Sequence, residues 1–180
     1  SGDAIYPFFG TSYQKCKDQE LGLGLDLQGG MSVTLEVSIP ELVKNLAKNS
    51  TKESFQVPFR IADSLYGKGV SNDFIELFFS EYNKSKWKGD KIGYFHVANK
   101  EHFPKSMTNE EIKEKLIELS IEALDKTQII IESRINKFGV SQPSIQKQPL
   151  SGRLHIELPG AKDKDRVRDL LESTASLSFL

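Results

Sequence analysis

Between Leu21 and Val37 the chain alternates with a period of two. Leu21, Leu23, Leu25, Leu27, Met31, Val33, Leu35 and Val37 take odd positions, and Gly22, Gly24, Asp26, Gln28, Ser32, Thr34, Glu36 and Ser38 take even ones. Successive side chains of a strand point to opposite faces, so this pattern predicts one buried and one polar face. Gly29-Gly30 interrupts the run and invites a two-residue hairpin. Pairing arithmetic rejects it. Such a turn sets Leu27 opposite Ser32 and Leu25 opposite Thr34, which mixes apolar and polar side chains on both faces. One long strand, bent or bulged at the glycines, keeps the parity.

The rest of the chain supplies partners for that strand. Pro40 opens a short amphipathic helix bearing Leu42, Val43, Leu46 and Ala47, and Phe55–Tyr66 and Asp73–Tyr82 are predicted helices separated by the break Tyr66-Gly67-Lys68-Gly69. Lys84–Lys105 is polar, with a short strand expected at Ile92–Val97. Thr108 and Glu111 form a capping box. A long helix follows to about Phe138, with Ile112, Leu116, Leu119, Ala123, Thr127, Ile130 and Phe138 on its stripe, Ile131 and Ile135 beside it, and Gly139 as its stop. Ser144–Gln148 and Arg153–Leu158 read as strands, the second with Leu154, Ile156 and Leu158 inward, and Pro159-Gly160 breaks it. Asp163 caps a helix with Val167, Leu170 and Leu171 on its apolar face, and Leu177 and Phe179 mark a final strand. Without residues 39–105 the order is βαββαβ. The expected fold class is therefore α+β, a ferredoxin-like sheet module with a largely helical insertion between the first strand and the first helix. The expected divisions are an N-terminal tether at 1–20, the sheet domain at 21–38 and 106–180, and the inserted subdomain at 39–105.

Composition narrows the function. A net charge of −1 gives no global field toward nucleic acid or an anionic membrane. The single cysteine, Cys16, cannot close an internal disulfide, and no apolar run approaches the roughly 20 residues that span a bilayer. The N-terminus has no signal-peptide pattern, and the start at Ser1 and the end at Leu180 read as a piece of a longer protein.

No catalytic constellation emerges. Asp26 and Glu36 share the polar strand face but lie roughly 33 Å apart at strand rise, too far for a catalytic pair. His155 and Glu157 share a face and can touch, yet no further metal ligand is spaced near them. His96 and His102 match no helical ligand spacing. The glycine-rich Leu21–Gly30 segment lacks both the dinucleotide and the phosphate-loop patterns. Lys84, Lys86, Lys88, Lys91, Lys100 and Lys105 surround Trp87, Tyr94 and Phe95, a composition compatible with single-stranded nucleic acid. The central strands show Ser, Thr, Gln, Glu and His in place of stacking aromatics, so a solvated loop is the better reading. No catalytic, cofactor-binding or metal residue is assigned, and no cofactor is expected. Gly29, Gly30, Gly139, Pro159 and Gly160 are singled out as backbone positions that shape or hinge the module.

Four blocks in order carry a family resemblance. Leu21-Gly22-Leu23-Gly24-Leu25-Asp26-Leu27-Gln28-Gly29-Gly30-Met31 resembles the signature that follows the first membrane helix of SecD protein-export subunits. Arg134-Ile135-Asn136-Lys137-Phe138-Gly139-Val140-Ser141-Gln142-Pro143-Ser144-Ile145-Gln146 resembles the family's second motif, with Gln142 where an acid is usual. Arg153–Gly160 and Thr174–Phe179 continue it. The resemblance implies the base of the first extracytoplasmic region of SecD, or of the SecD half of a fused SecDF. That region faces the periplasm from the bacterial inner membrane. Its implied partners are SecF, the SecYEG channel and a translocating preprotein. Proton-coupling residues would lie in membrane helices outside this sequence, a mobile head is expected after Leu180, and residues 39–105 match nothing in the common pattern. The resulting expectation is a non-enzymatic component supporting proton-motive-force-driven export. The alternative is a ligand-sensing or small-molecule-binding ferredoxin-like module, which calls for a concave pocket beside the sheet.

Overall fold

In a computed structural model the described residues are 30–90, 92–137, 139, 143–160, 163, 165–169 and 171. The long strand's first half, including Gly29, and the final strand at Leu177 and Phe179 lie outside them, as do Cys16, Asp26 and Gln142. Strand β1 is Gly30–Glu36, β2 is Ser144–Gln148 and β3 is Arg153–Pro159. Helices α1 to α5 are Ile39–Leu46, Glu53–Gly67, Phe74–Lys84, Gly93–Ala98 and Asn109–Lys137. The chain is therefore mixed α and β, with several helices and, among the described residues, a three-stranded antiparallel sheet in the order β1-β3-β2.

Both β1 and β2 run antiparallel to β3. They are thus parallel to each other with β3 between them. The predicted parity holds in β1, where Met31 and Val33 are buried and Ser32 and Thr34 are not. Opposite them Leu154, Ile156 and Leu158 are fully buried. A four-residue connection closes the β2–β3 hairpin. Its single 3-10 turn, Pro149–Ser151, ends at Gly152, which takes a φ of 69° that favours glycine. On the core side Lys147 reaches Asp125 of α5, so the second half of α5 lies over that face. Ala123, Leu124, Thr127, Ile131 and Ile135 are buried there, and Thr127 Oγ1 donates to Ala123 O at 2.8 Å. The expected stripe is corrected at Ile130, which is 40% exposed, whereas Ile131 and Ile135 are buried; its last member, Phe138, lies outside the described residues. Ile129-Ile130-Ile131 offers three adjacent apolar residues, and only the position of the sheet selects among them. Asp163 caps the helical residues 165–169, accepting from Arg166 N–H at 3.0 Å, with Val167 and Leu171 buried.

These elements belong to one of two compact units; the other is Ile39–Ile121. Its core is aromatic. The Phe55 ring lies 5.1 Å from Phe59, 5.7 Å from Phe78 and 5.2 Å from Tyr94. Phe95 stacks on Phe103 at 5.2 Å. Asp73 caps α3 through Glu76 N–H at 2.9 Å. The capping box of α5 closes in both directions: Thr108 N–H donates to Glu111 Oε2 at 2.7 Å and Glu111 N–H to Thr108 Oγ1 at 3.2 Å. The strand expected at Ile92–Val97 is a helix, α4. Tyr94 and Phe95 are both buried in one cluster while Val97 is 70% exposed. A strand would send Tyr94 and Phe95 to opposite faces, whereas a helical turn lets both enter the same core.

Candidate functional site: the polar face of the sheet

Period-two parity and register together build a grid on the side of the sheet away from Leu154, Ile156 and Leu158. Ser32, Glu157 and Ser144 form one row, Thr34, His155 and Gln146 the next, and Glu36, Arg153 and Gln148 the third. All nine side chains are polar. His155 sits at the centre. Its Nδ1 lies 3.3 Å from Thr34 Oγ1, and its Nε2 lies 3.4 Å from Ser32 Oγ and 3.5 Å from Glu157 Oε1. The expected approach of His155 and Glu157 is thus present. At the far end Arg153 Nε donates to Glu36 Oε2 at 3.2 Å. Both partners are partly exposed, so this pair contributes about 1 kcal/mol at most.

Chemically the grid is a field of hydrogen-bond donors and acceptors arranged around His155. Among the described residues no group of three or more His, Cys, Asp or Glu side chains is arranged to hold a metal ion. The other histidine with a definite role is architectural: His96 Nδ1 donates to Phe103 O at 2.8 Å and ties α4 to the loop that follows. The lysine-rich loop offers no stacking platform. Tyr94 and Phe95 are buried, and Lys86 lies over the Trp87 ring, 4.7 Å from its centroid, while pairing with Glu53. Two tyrosines in that unit are perturbed. Burial pushes the Tyr82 phenol up, with Asp90 adding to it, and burial pushes Tyr94 up further, with Tyr82 adding to it.

The singled-out backbone positions are scattered. Gly30 begins β1 and faces Pro159 across the β1–β3 register. Gly160 follows with a φ of +71°, so this part of the group sits at one end of the sheet. Gly139, φ +77°, lies beyond α5, and its N–H donates to Asn136 O at 3.1 Å. The contribution of β2 to the grid was legible in Ser144–Gln148 only as a short strand; the pairing that places Gln146 beside His155 was not.

Comparison with known proteins adds to this geometry. Residues 124–180 match the family model "Protein translocase subunit SecDF, P1 domain, N-terminal". Over 95% of its length the chain is 36% identical to protein translocase subunit SecD of Rhodothermus marinus, covering 27% of that protein. It is 29% identical to SecD of Desulfurispirillum indicum, over 90% of the chain and 32% of the relative. It is 24% identical to SecD of Escherichia coli, over 89% of the chain and 26% of the relative. The chain therefore spans between a quarter and a third of the length of these relatives. No solved structure matches. No helix among the described residues is long and apolar enough to cross a membrane.

Proposed function

We propose that this chain, which belongs to the SecD family of protein translocase subunits, is a non-enzymatic extracytoplasmic part of the Sec pathway that supports preprotein export. The observation that carries the reading is the P1-domain match over 124–180, the stretch that forms β2, β3 and the second half of the helix above them. The relatives are named as protein translocase subunits, not as enzymes.

In this reading the sheet is the ferredoxin-like base of the P1 domain. Two parallel strands with an antiparallel strand between them fit the split βαβ arrangement of that plan. The helical residues 39–105 are an insertion, and residues 1–20 a tether. The base faces the periplasm and transmits motion driven by the proton-motive force in membrane segments of the whole subunit. SecF, SecYEG and the preprotein are its partners there. Gly30, Pro159 and Gly160 shape one end of the base, and Gly139 sets the exit from the long helix.

The test is export itself. Replacing the matching region of E. coli SecD with this chain should preserve export of a secreted reporter in cells lacking their own SecD. Deleting the same region should slow it. Undiminished export by the deletion would remove the proposed role.

A further inference from the structure

Among the described residues β2 is an edge strand of the sheet. Val37 N–H donates to Gly152 O at 2.8 Å, so the even-numbered residues of β3 turn their backbone groups toward β1. In an antiparallel ladder alternate residues face alternate neighbours. Arg153, His155 and Glu157 therefore face β2 and meet Gln148, Gln146 and Ser144. Ile145 and Lys147 are left with N–H and C=O directed outward. Among the described residues no strand pairs with this edge, and Ser144, Gln146, Lys147 and Gln148 are exposed.

Natural edge strands are commonly guarded by charge, proline or a bulge. Here the one charge on β2, Lys147, sits on the core-side parity and is taken up by Asp125. Pro143 and Pro149 flank the strand and leave its middle open. The side chains next to the edge on the polar face are Ser144, Gln146 and Gln148, neutral groups that hydrogen-bond without demanding a particular sequence. We propose that β2 binds an extended polypeptide segment by strand addition, with the Ile145 and Lys147 backbone as the recognition element. Main-chain hydrogen bonds supply the affinity in this mode, so the site tolerates varied sequence and rejects folded chains. That the segment belongs to a preprotein in transit rests on the export reading above; the pairing itself does not.

The whole chain can be titrated with a permanently unfolded probe, reduced carboxymethylated lactalbumin, with native lactalbumin as the folded control. The unfolded probe should slow amide exchange at Ile145 and Lys147, and the native one should not. Lys147→Pro removes an outward N–H without breaking the β2–β3 ladder, and should weaken binding about fivefold to tenfold. Lys147→Met removes only the ion pair and should bind as the parent does. Unchanged exchange at both residues under saturating probe, or full binding by a folded Lys147→Pro variant, would overturn the proposal. So would exchange that slows with chain concentration in the absence of probe, since a second copy would then occupy the edge. Failure here with intact export in the SecD replacement would dismiss the edge and leave the export role standing.

Discussion

Single side chains divide by which unit they stabilise. Ile156 is fully buried at the centre of the sheet. Ile156→Ala should cost about 2–5 kcal/mol through lost transfer energy and an unfilled cavity, read as a lower urea midpoint with an unchanged slope. Tyr94 presents the opposite case. Its hydroxyl is buried and finds no hydrogen-bond partner. Tyr94→Phe removes that unmet group and should be neutral or stabilising by about 1 kcal/mol. The same phenol predicts a pH dependence. Its pKa is raised in the folded state, so the unfolded chain loses its proton first. The stability it supports is complete below about pH 10, the ordinary tyrosine value. It falls as pH rises above that, by up to about 1.4 kcal/mol per unit. Thermal melts of the parent should decline more steeply above that pH than those of Tyr94→Phe; parallel curves would contradict the assignment.

Helix ends carry their own predictions. The closed capping box at Thr108 and Glu111 satisfies two otherwise orphaned donors. Thr108→Ala should therefore cost about 1 kcal/mol, seen as a drop in melting temperature with helix content otherwise retained. At the end of α1 the chain turns through Lys48 and Asn49 with φ of 47° and 52°. Asparagine tolerates this region and lysine does not. Lys48→Gly should accordingly raise stability by roughly 0.5–1 kcal/mol, in spite of the extra freedom it gives the unfolded chain. Gly160→Ala tests the reverse: nothing lies within 4 Å of an added Cβ, so its expected loss of about 1–2 kcal/mol comes from the backbone alone. Elements with strong local signals were legible from sequence alone. β2 has the expected bounds, Ser144–Gln148, and α3, Phe74–Lys84, lies within two residues of the expected Asp73–Tyr82. Ile92–Val97 reads as a strand yet folds as α4, because a six-residue apolar and aromatic run fits either period and the burial of neighbouring rings decides between them.

At the scale of the molecule the chain forms two compact units, each with a core of its own. Ile156→Ala should speed amide exchange at Val33 and Leu154, whose side chains are buried on the same sheet face, and leave protection in the Phe55 cluster of the other unit largely unchanged. What the sequence determined by itself was local and periodic. It carried the parity of β1 and β3, the caps at Thr108 and Asp163, the break at Gly67–Gly69, and the order of motifs that pointed to the SecD family. These follow from interactions a few residues apart or from a repeat of two or 3.6 residues. Tertiary structure decided what depends on partners far along the chain. It chose Ile131 over Ile130, folded Tyr94 and Phe95 into one aromatic cluster, and set Gln146 and Thr34 on either side of His155. It also left the backbone of Ile145 and Lys147 turned outward. No periodicity encodes these outcomes, because each is fixed by which distant strand or ring arrives at the same place.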